Sequence, residues 1–165
     1  MGCVLRKISG SIGRAMLPSP SQSLKEMSIP TLLAMLIWGE GRGTIMECKL
    51  AIGCVVRNRV NHPSWWGVGW YDVILKPWQF SCFNPSDPNR HKLKEPLKYD
   101  KFEVWEECCI AAFMVYEDLV EDYSNGATHY YSGTTTPSWA MNKTPVKIIK
   151  NHHPPYDTVY FYNLS

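Results

Sequence analysis

At 165 residues with 45% hydrophobic content, the chain has room for one globular domain with a real core and no need of a second. A formal net charge of +2 is too weak to argue for nucleic acid, where a concentrated basic stripe is expected, and no segment approaches the length of a membrane span. The six cysteines form no C-x-x-C pair and the five histidines no metalloprotease helix motif, so neither a disulfide framework nor a metal site is predicted, and no cofactor is called for.

Residues 1–27 carry Arg6, Lys7 and Arg14 among scattered apolar side chains and end in the cluster Pro18-Ser19-Pro20-Ser21-Gln22-Ser23. They read as a flexible, mildly basic arm without the continuous apolar stretch of a secretory signal. A single catalytic domain is predicted over 28–165. Ser28 can cap a first helix whose early Pro30 is tolerated because the first turn lacks amide partners anyway, and this helix runs to about Gly39. Its run from Thr31 to Trp38 is uniformly apolar, as in a buried helix, and Gly41-Arg42-Gly43 supplies a stop. Glu40 is thereby delivered to the edge of the core. Partial desolvation there raises a carboxyl pKa toward neutrality, which a general acid needs; a solvated Glu at a helix end is the plainer alternative.

Thr44-Ile45-Met46-Glu47 reads as a capping box opening a second helix, with Met46, Leu50, Ile52, Val55 and Val56 at helical spacing and an end before Pro63. From Ser64 to Lys98 the chain is rich in Trp, Pro, Asn and charge and is predicted as long loops around a short helix from Tyr71 to Leu75. Trp65, Trp66, Trp70 and Trp78 fall in this stretch, where aromatic faces either stack on ligands such as sugars or fill a core thin in Leu and Ile. Asp100-Lys101-Phe102-Glu103 is a second capping box, opening a long helix that ends near Asp122 before Asn125-Gly126. Strands are predicted from Ala127 to Tyr131, Val146 to Lys150 and Thr158 to Tyr162. The expected class is α+β: a helical lobe followed by a small antiparallel sheet, with a groove between them. Cys48, Cys54, Cys108 and Cys109 lie inside apolar helical patterns, as buried free thiols made in a reducing cytoplasm do.

Four ordered blocks carry a family resemblance. Trp38-Gly39-Glu40-Gly41-Arg42-Gly43, Glu47, Ala51 and Asn58-Arg59-Val60 resemble the opening signature of the SleB/CwlJ family of cell wall hydrolases, which runs Tyr-Gly-Glu-Ala-Arg-Gly-Glu. Lys76-Pro77-Trp78-Gln79-Phe80-Ser81 is similar to the family's Pro-Gly-Gln-Phe-Ser loop. Gly126-Ala127-Thr128-His129-Tyr130-Tyr131 with Pro137-Ser138-Trp139-Ala140 is similar to its Ala-Thr-His-Tyr segment, and Asn151-His152 to its closing Gly-Asn-His. Thr44 stands where the signature has its second Glu, Trp38 where it has Tyr, and His153-Pro154-Pro155 interrupts the closing aromatic. The resemblance implies a lysozyme or lytic transglycosylase-like fold and bacterial peptidoglycan as substrate, cut between N-acetylmuramic acid and N-acetylglucosamine. It also implies Glu40 as the catalytic residue, and it suggests a monomeric phage endolysin, made in the host cytoplasm and acting on the wall.

A conventional glycosidase needs two carboxylates across the scissile bond. Glu47 is the nearest candidate for the second, but its place in the capping box reads as structural. A single-Glu route fits better: Glu40 protonates the glycosidic oxygen and then takes the proton of the sugar's own 6-hydroxyl, closing an anhydro ring. Gln79, Phe80, Ser81, His129, Tyr130, Tyr131 and Trp139 are the candidate substrate contacts, each of which can equally be a packing residue. Asn58 and His152, with Glu47, are expected to brace the site. Two other classes stay open: a peptidase or amidase pairing Cys82 with His129, and a non-catalytic wall-binding virion protein.

Overall fold

The computed structural model describes residues 12–165. Cys3 and the basic pair Arg6 and Lys7 lie outside the described residues. Five helices and three strands position the site: α1 (Ile29–Gly41), α2 (Met46–Asn61), α3 (Gly69–Leu75), α4 (Pro96–Tyr99), α5 (Phe102–Tyr116), β1 (His129–Ser132), β2 (Lys147–Ile149) and β3 (Val159–Tyr162). This is the α+β, lysozyme-like class expected, with a helical body and a small antiparallel sheet.

α1 is the central helix, as its all-round apolarity requires: every residue from Thr31 to Trp38 is buried. The Ser28 hydroxyl accepts from the Thr31 amide at 3.4 Å, so the cap is formed as expected, and Pro30 sits in the first turn. α1 packs on α5 and α2. α2 and α5 approach closely at Gly53, where an added Cβ would lie 3.0 Å from Val115 Cγ2. The sheet order is β1-β3-β2, both pairings antiparallel, with His129 opposite Tyr162 and Lys147 opposite Phe161. Phe161 and Val159 of the central strand face the core.

Both predicted capping boxes are absent. At α2 the cap position is Ile45, whose amide donates instead to Asn151 Oδ1 at 2.9 Å, and the Thr44 hydroxyl turns back to Gly41 O at 2.6 Å. At α5 the cap position is Lys101 without a side-chain bond, and Asp100 reaches Arg42 at 3.5 Å. α5 also ends at Tyr116 rather than near Asp122. The buried Arg57 guanidinium donates to Val115 O in the last turn of α5 at 3.3 Å and to Asp118 Oδ1 and Val120 O just beyond it at 3.0 and 3.1 Å, and Asp118 turns left-handed at φ 57°. The segment before α1 differs from a flexible arm over its described part. Residues 12–15 are helical, Met16 and Met27 are buried, the Trp105 indole donates to Gly13 O at 2.9 Å, and the Tyr71 hydroxyl donates to Met27 O at 2.6 Å. Two methionines and a buried indole partner give this segment enough apolar and polar contact to dock.

Candidate active site

The last turn of α1 carries Glu40 to where three elements meet. Gly39 lets this happen: an added Cβ would stand 2.8 Å from Cys82 Cβ and 2.9 Å from Leu93 Cδ2, so any side chain there would push away the turn at Ser81–Phe83. Glu40 is half-buried, and its Oε1 is closed off from solvent with no hydrogen-bond partner. Burial raises its pKa above the ordinary carboxyl value, the Cys82 amide and thiol partly offset this, and the negative charge of Asp87 adds to the rise.

That rise couples the carboxyl to folding. The folded protein keeps the Glu40 proton in a pH range where the unfolded chain has released it, so stability is lost as pH climbs through that range. Glu40→Gln, which is neutral at every pH, is expected to gain stability relative to wild type as pH rises above the ordinary carboxyl value of 4.5 and to lose that advantage below it. Urea unfolding midpoints of the two proteins across pH measure this. Equal midpoints throughout would mean that Glu40 is not held protonated by burial.

Tyr130 brings the sheet to the same place. Its hydroxyl is fully buried and unpaired, and burial, then the charges of Glu40 and Cys82, push its pKa well above the usual phenol range. It is therefore a neutral donor facing the region of Glu40. Behind it lies Arg59, 4% exposed, whose Nε donates to Thr128 O at 2.7 Å and Nη1 to Gln79 Oε1 at 3.2 Å. Its guanidinium lies over Phe80, Trp66 and Trp65, 5.2, 5.5 and 6.0 Å from their ring centroids. Burial lowers its pKa to about 10, leaving it cationic. Gln79 and buried Phe80 are thus pinned from behind, while Ser81 is exposed on a cavity of about 80 Å³ shared with Trp38, Gly39, Cys82 and Asp87.

An aromatic wall continues along β1. His129 sits between Trp65, Trp66 and Trp139, its Nδ1 2.9 Å from Thr128 Oγ1. Burial, with the charges of Arg59 and Lys143, drops its pKa to about 4, so the ring is neutral at neutral pH. Tyr131 stacks on Tyr160 and Tyr162 with centroids 5.0 and 6.0 Å away, and Trp139 meets Tyr162 edge-on at 5.4 Å.

Asn58, one of the residues expected to brace the site, donates from Nδ2 to Asp122 Oδ2 at 2.9 Å, Ser124 Oγ at 3.2 Å and Ala127 O at 2.9 Å, fixing the loop that leads into β1. Burial alone would raise the Asp122 pKa, but the donors Ser124, Asn58 and Gly126 outweigh it and hold the carboxylate ionised. Glu47 is not a cap but an ion-pair partner of Lys147 at 3.1 Å, tying α2 to β2. His152 is exposed and meets the ring of His153; the brace is its neighbour Asn151, which joins Ile45 to the Asp157 carbonyl. Sequence reasoning missed Arg59, Asn151 and Asp87 as site residues. The first two sit inside the motif blocks Asn58-Arg59-Val60 and Asn151-His152, whereas Asp87 carried no signal.

Cys48, Cys54, Cys82, Cys108 and Cys109 are free and buried. The Cys82 thiol is pushed far up by burial and by the charge of Glu40, so no thiolate is available, and no hydrogen bond joins it to His129 among the described residues. Among those residues no His, Cys, Asp and Glu cluster could hold a metal ion, and no helix is long and apolar enough to cross a membrane.

The chain matches the family model described as Cell Wall Hydrolase over residues 43–153, about two thirds of its length, and it belongs to that family. Glu40 lies three residues ahead of the matched stretch, so its place in the site rests on the geometry above. No curated protein and no solved structure matches the chain.

Proposed function

We propose that this cell wall hydrolase cuts the glycosidic bond between N-acetylmuramic acid and N-acetylglucosamine in peptidoglycan, with Glu40 as the single acid and base. One observation carries the reading: the Glu40 carboxyl is half-buried, its Oε1 without a partner, in surroundings that hold its proton. Protonated Glu40 gives its hydrogen to the glycosidic oxygen as the bond from muramic C1 breaks. The muramic 6-hydroxyl oxygen bonds to C1 while its proton passes to the Glu40 carboxylate, which restores the acid and leaves a 1,6-anhydro end. In this reading Tyr130, a neutral donor, and Gln79, held by Arg59, meet hydroxyl and N-acetyl groups. The rings of His129, Tyr131 and Trp139, with the exposed Ser81, supply sugar-facing surface.

A second reading, hydrolysis with a partner carboxylate, is favoured by Asp87, whose charge reaches Glu40 and which borders the same small cavity. Glu47 is a weaker partner because Lys147 already holds it. Digestion of purified peptidoglycan followed by end-group analysis tests the bond class. New muramic ends without new amino groups are expected; release of amino groups from stem peptides would replace the glycosidase reading with a peptidase.

A further inference from the structure

Two surface cavities lie away from the aromatic wall. One, of about 600 Å³, is bordered by Leu24, Pro85, Asp87, Arg90, Leu93 and Lys94. A second, of about 690 Å³, shares Leu24, Pro85, Arg90 and Lys94 with it and continues to Lys25, Lys76, Pro77 and Trp78. Asp87 and Leu93 also border the small cavity beside Gly39 and Cys82. A groove therefore runs from the neighbourhood of Glu40 out to Trp78.

We propose that this groove binds the acidic peptide stem of peptidoglycan, the segment that hangs from the muramic acid beside the bond being cut. The proposal rests on the peptidoglycan reading above. The outer half of the groove is lined by Lys25, Lys76, Arg90 and Lys94 and by no acidic side chain, and none of the four is in an ion pair among the described residues. A stem peptide carries several carboxylates on its backbone and terminus, the complementary charge.

Trp78 supplies an independent observation. Its backbone is left-handed, φ 67°, a conformation that glycine enters freely and a large side chain does not, and Asn84 Oδ1 holds it there by accepting from the Trp78 amide at 3.1 Å. The indole that results is 74% exposed, so the strain is not repaid by core packing. It gives the groove an apolar rim, onto which the short aliphatic side chains of a stem peptide can fold while their carboxylates meet the cations.

Titration of the intact protein with a soluble stem tetrapeptide (L-Ala, γ-D-Glu, meso-diaminopimelate, D-Ala), read by tryptophan fluorescence or by amide shifts of residues 76–94, tests this. Saturable binding is expected that weakens with added salt and falls by about tenfold or more in Lys76→Glu/Arg90→Glu. Trp78→Ala is expected to weaken it as well, without a change in the unfolding midpoint. No saturable binding by a folded wild-type protein, binding that survives the charge reversal, or selective binding of an anionic wall polymer such as teichoic acid instead of the peptide would overturn the proposal. Peptide-stripped glycan separates the two readings: its cleavage needs Glu40 but not the groove, so a wild-type protein that cuts it and binds no stem peptide contradicts only the groove.

Discussion

Glu40→Gln is expected to lower wall-degrading turnover by about 10²–10⁴-fold, the range a positioned general acid contributes. The amide keeps the shape of the carboxyl and can occupy the same space beside Cys82, but it has no proton of suitable acidity to give the leaving oxygen. Glu40 Oε1 accepts no hydrogen bond that the fold depends on, so the variant should fold and melt at least as high as wild type at neutral pH. Turbidity clearance of purified walls gives the rate, and circular dichroism confirms the fold. A folded Glu40→Gln protein clearing walls at a near wild-type rate would remove Glu40 from the chemistry.

The largest effect on stability is expected at Arg59. Truncation to alanine leaves the Thr128 carbonyl and Gln79 without their donor and opens a gap between Trp65, Trp66 and Phe80, a combination worth about 2–4 kcal/mol. For a chain of this size that is a fall in Tm of roughly 5–15 °C. Arg59→Lys keeps the charge but loses the planar fork that serves two acceptors at once, so it should recover only part of the loss. Thermal unfolding of the three proteins measures the series. A Tm for Arg59→Ala within about 1 °C of wild type, which for this size is under ~0.5 kcal/mol, would mean that Arg59 does not hold the site together.

Local signals in the sequence carried the helix that delivers Glu40, because its pattern is local: a cap residue, an uninterrupted apolar run and a glycine-rich stop all lie within residues 28–43. The three strands were legible for the same reason, each bounded by its own turn residues. What failed depended on partners far along the chain. The Thr44 capping box was plausible by spacing, yet Asn151, 106 residues away, takes the amide that the box would have satisfied. The end of α5 is set by Arg57 on another helix, and no residue inside α5 announces it. Asp87 and Tyr130 likewise gain their relation to Glu40 only when the loop after α3 and strand β1 close on the end of α1. The packed segment before α1 was hidden by its Pro and Ser content, which masked the two methionines that anchor it.

The most direct test of the mechanism is the fate of solvent oxygen. If Glu40 acts alone and the muramic 6-hydroxyl displaces the leaving sugar, digestion of purified peptidoglycan in oxygen-18 water should yield 1,6-anhydro-muramyl ends without label, each lighter by one water than the hydrolytic product. Mass spectrometry of the released muropeptides reads this. Predominant oxygen-18 at muramic C1 would contradict the single-carboxylate account, leave the glycosidase class standing, and make Asp87 the partner carboxylate to replace first.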